Sequence, residues 1–353
     1  MSITYKDIAK KAGVSISTVS RVVNQTDLHK VGKPTQKKVE KIIEKLDFTP
    51  NVIARSLVSR KTYNVAVAIK DLEDIINPYF NQVISGIAGV LERRGYFLQL
   101  VRTVSAKEKA LSPYYLKAIQ EKRVDGLILL SEEAKNKDVI DLFEKKIPVI
   151  LVNRTIPNIV APSVLIDNEG GLYEATKELI KLKHRKIVFL AGSLDFQLDK
   201  QRLKGYKKAL KEANIPYDKS LIIEGAFNFN QSATAMDGLL KKKVKFSAIV
   251  ASDDVMALAC IHRLNERGYK VPEDISVIGF NDMLLLPLAS SLSSMRLPLV
   301  ELGRRAASML LSIINDDPAE EMEVIFKPEL IKRNSIGINK KSKKENLKGA
   351  TRK

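Results

Sequence analysis

Between Asn64 and Phe280 the chain alternates short apolar runs with stretches of helical period, and few folds accommodate that alternation. The runs VAVAI ending at Ile69, LILL at Leu130, VILV at Val152, IVFLA at Ala191, IVA at Ala251 and SVIGF at Phe280 carry no polar alternation. Strands buried on both faces read this way. Helices are expected between them at 78–94, 113–121, 137–145, 168–182, 199–213, 231–241 and 254–267, with one more at 300–314. Strand–helix alternation predicts parallel sheets covered by helices. The strands fall into two sets, 64–152 and 163–280, so the fold class is α/β with two doubly wound subdomains. Ligand is expected at the carboxyl ends of their strands.

The first sixty residues have a different character. Thr4 with Asp7 forms a capping box for a short helix that carries Ile8, Ala9 and Ala12 on one side. Gly13 can end it, and Ser15 can cap a second helix running to about Asn24. On that second helix Val19, Val22 and Val23 share one face, while Ile16, Ser17, Ser20, Arg21 and Asn24 share the other. Short polar side chains, one arginine and an exposed isoleucine suit a major-groove reader. The small residues let the helix approach, arginine meets guanine edges, and isoleucine meets a thymine methyl. The competing explanation is an ordinary helical hairpin with a solvated face. A third helix is expected over 32–46, where Val39, Ile42, Ile43 and Leu46 would close a small core.

Charge is distributed to match. Residues 1–63 hold 13 Lys+Arg against 5 Asp+Glu, residues 340–353 hold 7 against 1, and the whole chain is +18. The positive charge therefore sits at the two ends, which favours phosphate contacts and steering towards DNA. A single cysteine, Cys260, excludes a disulfide framework and fits a reducing cytoplasm. No window reaches the length of a membrane span and the N-terminus does not read as a signal peptide, so a cytoplasmic protein with no membrane contact is expected.

The stretches DIAKKAGVS, STVSRVVN and KVEKIIEKLDFTPNVIARSL closely resemble the headpiece of the lac repressor (LacI/GalR) family of bacterial transcription regulators, and the resemblance runs to about Gly337. It implies a three-helix helix-turn-helix headpiece at 1–50, a hinge helix and linker at 51–63, and a periplasmic-binding-protein-like core at 64–339. The core would comprise an N-subdomain of about 64–162 and 292–322 and a C-subdomain of about 163–291 and 323–339, the chain crossing between them three times. The resemblance makes Thr4, Ser15, Ile16, Ser17, Thr18, Ser20, Arg21 and Asn24 DNA-binding candidates, with Asn51, Ala54, Arg55 and Leu57 from the hinge. In the family two hinge helices enter the minor groove together. Leu57 would be the wedge, Ala54 would pack in the groove and Arg55 would lie near the backbone.

Polar and aromatic residues fall just past the strand ends: Asn77, Tyr79 and Phe80, then Asn153 and Arg154, Asp253 and Asp254, and Asn281 and Asp282, with Arg202 and Phe227 near by in sequence order. Arg202 itself opens a helix, in RLKGY, and Phe227 follows a short strand, in GAFNF. An arginine, several amide or carboxylate acceptors and a few aromatic rings can clamp sugar hydroxyls and a sugar face. The resemblance implies that Arg202, Asp253, Asn281, Asn153 and Phe227 face the effector, and Arg154, Tyr79 and Phe80 complete the candidate set. Two departures stand out. Lys70–Ile76 is longer than usual ahead of NPYF, and Leu198 stands where some sugar-binding members carry a polar residue, which argues against a simple galactoside.

No catalytic constellation is present. His29, His184 and His262 are scattered without metal spacing, and neither GxGxxG nor a P-loop occurs, so neither cofactor nor metal is expected. The chain is expected to be a homodimeric operator-binding regulator, a repressor, controlled by a carbohydrate-like effector. The alternative is a sugar-binding or transport protein with the same core, against which residues 1–60 argue. The tail 340–353 has one large apolar residue, Leu347, too few for a coiled coil, and is expected to be disordered.

Overall fold

The computed structural model describes residues 3–23, 27–48, 56, 59, 61–70, 75–103, 113–130, 136–283, 291–318 and 321–339. The expectations for Asn24, Asn51, Ala54, Arg55, Leu57 and the tail 340–353 lie outside the described residues. The chain divides into two compact units, Met1–Tyr63 and Asn64–Lys353.

In the first unit, α1 (Tyr5–Ala12), α2 (Ile16–Val23) and α3 (Lys33–Lys45) enclose a core of Ile8, Ala9, Ala12, Val19, Val22, Val31 and Val39. Ile42, Ile43 and Leu46 pack against it, and Tyr5 meets Phe48 edge-on at 5.7 Å. Between α2 and α3 a single 3-10 turn, Leu28–Lys30, is tied to α3 by the Gln36 carboxamide, which donates to the Leu28 and Val31 carbonyls.

Among the described residues the second unit contains two six-stranded sheets. Its strands are β1 (Asn64–Ile69), β2 (Phe97–Arg102), β3 (Gly126–Leu129), β4 (Val149–Val152), β5 (Ser163–Ile166), β6 (Ile187–Ala191), β7 (Ile222–Glu224), β8 (Ala248–Ala251), β9 (Ser276–Asn281), β10 (Ser293–Arg296), β11 (Glu323–Phe326) and β12 (Glu329–Ile331). The helices are α4 (Pro78–Arg93), α5 (Tyr114–Gln120), α6 (Asn136–Glu144), α7 (Asn168–Lys181), α8 (Gln197–Glu212), α9 (Phe229–Lys241), α10 (Asp254–Glu266) and α11 (Leu299–Ile314). One sheet has the order β11-β5-β4-β3-β1-β2 and is wholly parallel. The other has the order β12-β10-β9-β8-β6-β7 and is parallel except for β12. Every residue of β3, β4, β6, β8 and β9 is buried, as the uninterrupted apolar runs require.

The chain crosses between the sheets three times among the described residues: after β5, between β10 and α11, and between β11 and β12. Each crossing falls one strand later than the sequence boundaries place it. β5 and β11 were expected in the C-subdomain, yet Ser163 pairs with Leu151 and Glu323 with Ser163 in the first sheet. β10 was expected in the N-subdomain, yet Ser294 pairs with Gly279 in the second. These strands are short, β10 reads SSMR and β11 is an alternately exposed edge strand, so their composition does not reveal which sheet they join.

Close helix contacts fix each subdomain. A Cβ on Gly86 of α4 would strike the Val300 carbonyl of α11, and one on Gly303 of α11 would strike the Val83 carbonyl of α4. Gly205 of α8 lies equally close to the Glu169 carbonyl of α7.

Candidate DNA face and effector crevice

The capping box at α1 forms as read. The Thr4 hydroxyl and amide both donate to Asp7 Oδ2, the Asp7 amide returns a bond to Thr4 Oγ1, and these bonds hold the Asp7 carboxyl below its ordinary pKa. Gly13 ends the helix in the left-handed conformation, φ 66°. Ser15 then caps α2, its hydroxyl accepting from the Thr18 amide at 3.1 Å and bonding Ser17 Oγ and Thr18 Oγ1. Val19 and Val22 face the core. Ile16 is 50% exposed, with Ser15 and Ser17 exposed beside it, while Ser20 and Arg21 are half-buried. One face of α2 is thus spent on packing, and the other offers hydroxyls, a guanidinium and an apolar group.

In the core, polar side chains converge where β4, β6, β8 and β9 end. Arg202 of α8 is only 3% exposed. Its Nε donates to Asn168 Oδ1 at 2.9 Å, its Nη1 donates to the Ser252 carbonyl at 2.7 Å, and its guanidinium lies 4.1 Å from the Phe280 ring centre. Asn168 Nδ2 in turn donates to Asn153 Oδ1 at 2.8 Å, which links the second subdomain to the end of β4 in the first. Asp199, one turn before Arg202, accepts from the Ser252 hydroxyl and the Ser193 amide.

Asp253 caps α10 by accepting from the Val255 amide at 2.7 Å, and its other oxygen accepts from Asn281 Nδ2 at 3.0 Å. Burial pushes the Asp253 carboxyl up to about 6, against the pull of Arg202. Asp254 is pushed up to about 7 by burial, although Ser294 and the Met283 amide donate to it. Asp282 shares the burial but lies below the ordinary range, because Arg333 and Arg296 pair with it at 2.6 and 2.7 Å. Left-handed backbone at non-glycine residues recurs around these ends, at Asn153 (φ 52°), Phe227 (φ 54°) and Asn281 (φ 106°). Such strain persists only where surrounding structure enforces it.

The structure therefore joins Arg202 to Asn153 through Asn168, and Asp253 to Asn281. Phe227 lies against Gly192 at the end of β6, where a Cβ would run into its ring, and it stacks on Phe196 with centroids 6.4 Å apart. Tyr79 and Phe80 meet edge-on at 5.2 Å in the first turn of α4, whose N-cap is Asn77. Arg154 is buried and donates to Asn136 Oδ1, at the start of α6, at 2.7 Å, near Tyr115 and Asp138. The sequence reading missed Asn168, Asp199, Ser252, Gln197 and Gln201. Asn168 directly follows Asp167, which caps α7 just past the end of β5, and the strand-end rule applied to β5 would have found it.

Among the described residues no group of His, Cys, Asp and Glu could hold a metal ion, and no helix is long and apolar enough to cross a membrane. Residues 4–51 match the family of bacterial regulatory proteins known as the lacI family, and residues 176–336 match the periplasmic binding protein-like domain. The HTH-type transcriptional repressor PurR of Vibrio atlanticus (strain LGP32) is 33% identical over 336 residues, covering 94% of this chain and 98% of that protein. A structure of the transcriptional regulator CelR in complex with cellobiose is similar at 29% identity, with a TM-score of 0.71 over 94% of this chain and 99% of that one. The lac repressor dimer bound to operator and the anti-inducer ONPF shares the fold, with a TM-score of 0.79 at 24% identity over 96% of this chain and 100% of that one. With a helix-turn-helix unit, a two-sheet core and relatives matched nearly end to end, this chain belongs to the lacI family of bacterial regulatory proteins and is a DNA-binding transcriptional regulator, not an enzyme, with a ligand-binding core.

Proposed function

We propose that the chain is a homodimeric repressor of a pseudo-palindromic operator, and that a sugar or sugar derivative bound between the core subdomains sets its operator affinity. Arg202, Asp253, Asn281 and Asn153 would hold the effector's hydroxyls, and Phe227, with Tyr79 and Phe80, would pack on its apolar face. Arg154, engaged by Asn136, would contribute at the edge of that set. The observation that carries this reading is the buried Asn281 carbonyl oxygen, which has no hydrogen-bond partner among the described residues although Asn281 Nδ2 is engaged by Asp253. An unsatisfied buried acceptor at a strand end suits a donor brought by a ligand, and a hydroxyl is such a donor. The CelR structure is a complex with cellobiose, which favours a carbohydrate.

On DNA, Ser15, Ile16, Ser17, Thr18, Ser20, Arg21 and Asn24 would meet the major groove, with Thr4 placed at its edge by its capping role. Arg21 would read a base edge. Residues 1–50 would form the headpiece, and residues 51–63 the hinge, contributing Asn51, Ala54, Arg55 and Leu57. Residues 340–353 would add only diffuse attraction to phosphates. Binding to DNA separates this reading from that of a transport-type sugar-binding protein. Mobility shift with duplexes recovered from genomic DNA, without and with mono- and disaccharides, tests it. A specific complex released or tightened by a sugar is expected, whereas sugar binding without any DNA complex would favour the transport-type protein.

A further inference from the structure

Two residues missed in the sequence face each other from opposite subdomains. The Thr155 amide, just past the end of β4, donates to Gln197 Oε1 at 3.0 Å, and Gln197 Nε2, at the start of α8, donates to the Thr155 hydroxyl at 2.6 Å. Both ends of one carboxamide are engaged by a single residue across the crevice, which fixes distance and orientation together. Thr155 lies on the same segment as Asn153, and Gln197 on the same helix as Gln201 and Arg202. Asn168 bonds both Asn153 and Gln201. The crevice is thus spanned at two neighbouring points by uncharged hydrogen bonds that need no ligand.

We propose that Gln197 and Thr155 form a latch, a pair of positioning residues that hold the two subdomains at one angle and thereby set the operator affinity of the ligand-free regulator. The proposal rests on the reading above, in which that angle controls operator affinity. Both residues are half-buried, so the bonds compete with water and bias the angle by several-fold rather than locking it. A bias of that size is one that a ligand with unequal affinity for the two angles can override. An effector that fits the latched crevice gains from it, and one that needs a wider crevice must first break it.

The test uses the full-length protein without effector, in the Gln197→Ala, Thr155→Val, double and Thr155→Ser variants. Hydrogen exchange at the Thr155 amide reads the latch, and titration of a duplex recovered from genomic DNA bound to the unmodified protein reads its consequence. Exchange in Gln197→Ala is expected to be about three- to ten-fold faster, with operator affinity shifted by a similar factor. The double variant is expected to shift operator affinity no further than Gln197→Ala does, because both substitutions remove the same pair. Thr155→Ser, which retains the hydroxyl, is expected to behave as the unmodified protein. Unchanged exchange in Gln197→Ala, an additive double variant, or a Thr155→Ser variant that matches Thr155→Val would overturn the latch. Faster exchange with unchanged operator affinity would instead show that the latch exists but that the subdomain angle does not govern DNA binding, which overturns the regulatory reading and the proposal with it.

Discussion

The Asn281 side chain gives its amide to Asp253 at 3.0 Å and keeps its carbonyl oxygen buried and unmatched among the described residues. A buried acceptor in that condition costs about 1–3 kcal/mol, a cost that a bound donor removes. Asn281→Ala is therefore expected to weaken effector binding about ten-fold and to lower the melting temperature modestly, because it deletes one unmatched acceptor but leaves Asp253 Oδ2 without its Asn281 donor. Calorimetric titration alongside thermal melting checks this. A large loss of stability with unchanged affinity would make Asn281 a purely structural residue.

Arg202 holds its place by fork geometry, bonding Asn168 and Ser252 and lying over Phe280. Arg202→Lys keeps the charge but loses the planar donors. The variant is expected to bind operator as the unmodified protein does and to require at least about ten times more effector for its response, since a charged hydrogen bond is worth about 1.5–3 kcal/mol. A normal response in a mobility-shift titration would remove Arg202 from the effector's contacts.

Arg21 lies on the face of α2 opposite Val19 and Val22. Arg21→Ala is expected to cost about 1–3 kcal/mol and to relax preference at one base pair per half-site, as measured by binding to a panel of operator variants. Uniform weakening across the panel would make it a phosphate contact.

Burial raises Asp254 from an ordinary carboxylate value to about 7. With the folded pKa above the unfolded one, the fold favours the protonated acid. Its stabilisation is full below about pH 4 and is lost as pH rises through about 7. The melting temperature should therefore fall as pH rises from about 5 to 8, and Asp254→Asn should flatten that slope. The amide can still accept from the Met283 N–H and donate to Ser294 Oγ. An unchanged slope in the variant would assign the pH dependence to other groups.

Much of this architecture was legible because it rests on local chemistry. The capping box at Thr4, the stop at Gly13 and the uninterrupted apolar strands each follow from a few adjacent residues. What is decided at long range was not legible. β5, β10 and β11 pair in the sheet opposite to the one assigned, because strand composition does not encode neighbours. Gln197 and Thr155 are ordinary polar residues in sequence and become notable only when two subdomains bring them together.

Linkage between the two sites tests the central claim most directly. Once a sugar is found that binds the core, its affinity is measured for the free protein and for the operator complex, and operator affinity is measured with and without saturating sugar. The two ratios are expected to agree and to lie between about 5-fold and 150-fold, since coupling between binding sites is reciprocal. Saturation of the core by a sugar with both ratios at unity would contradict the account, because the ligand would then occupy the crevice without governing the operator.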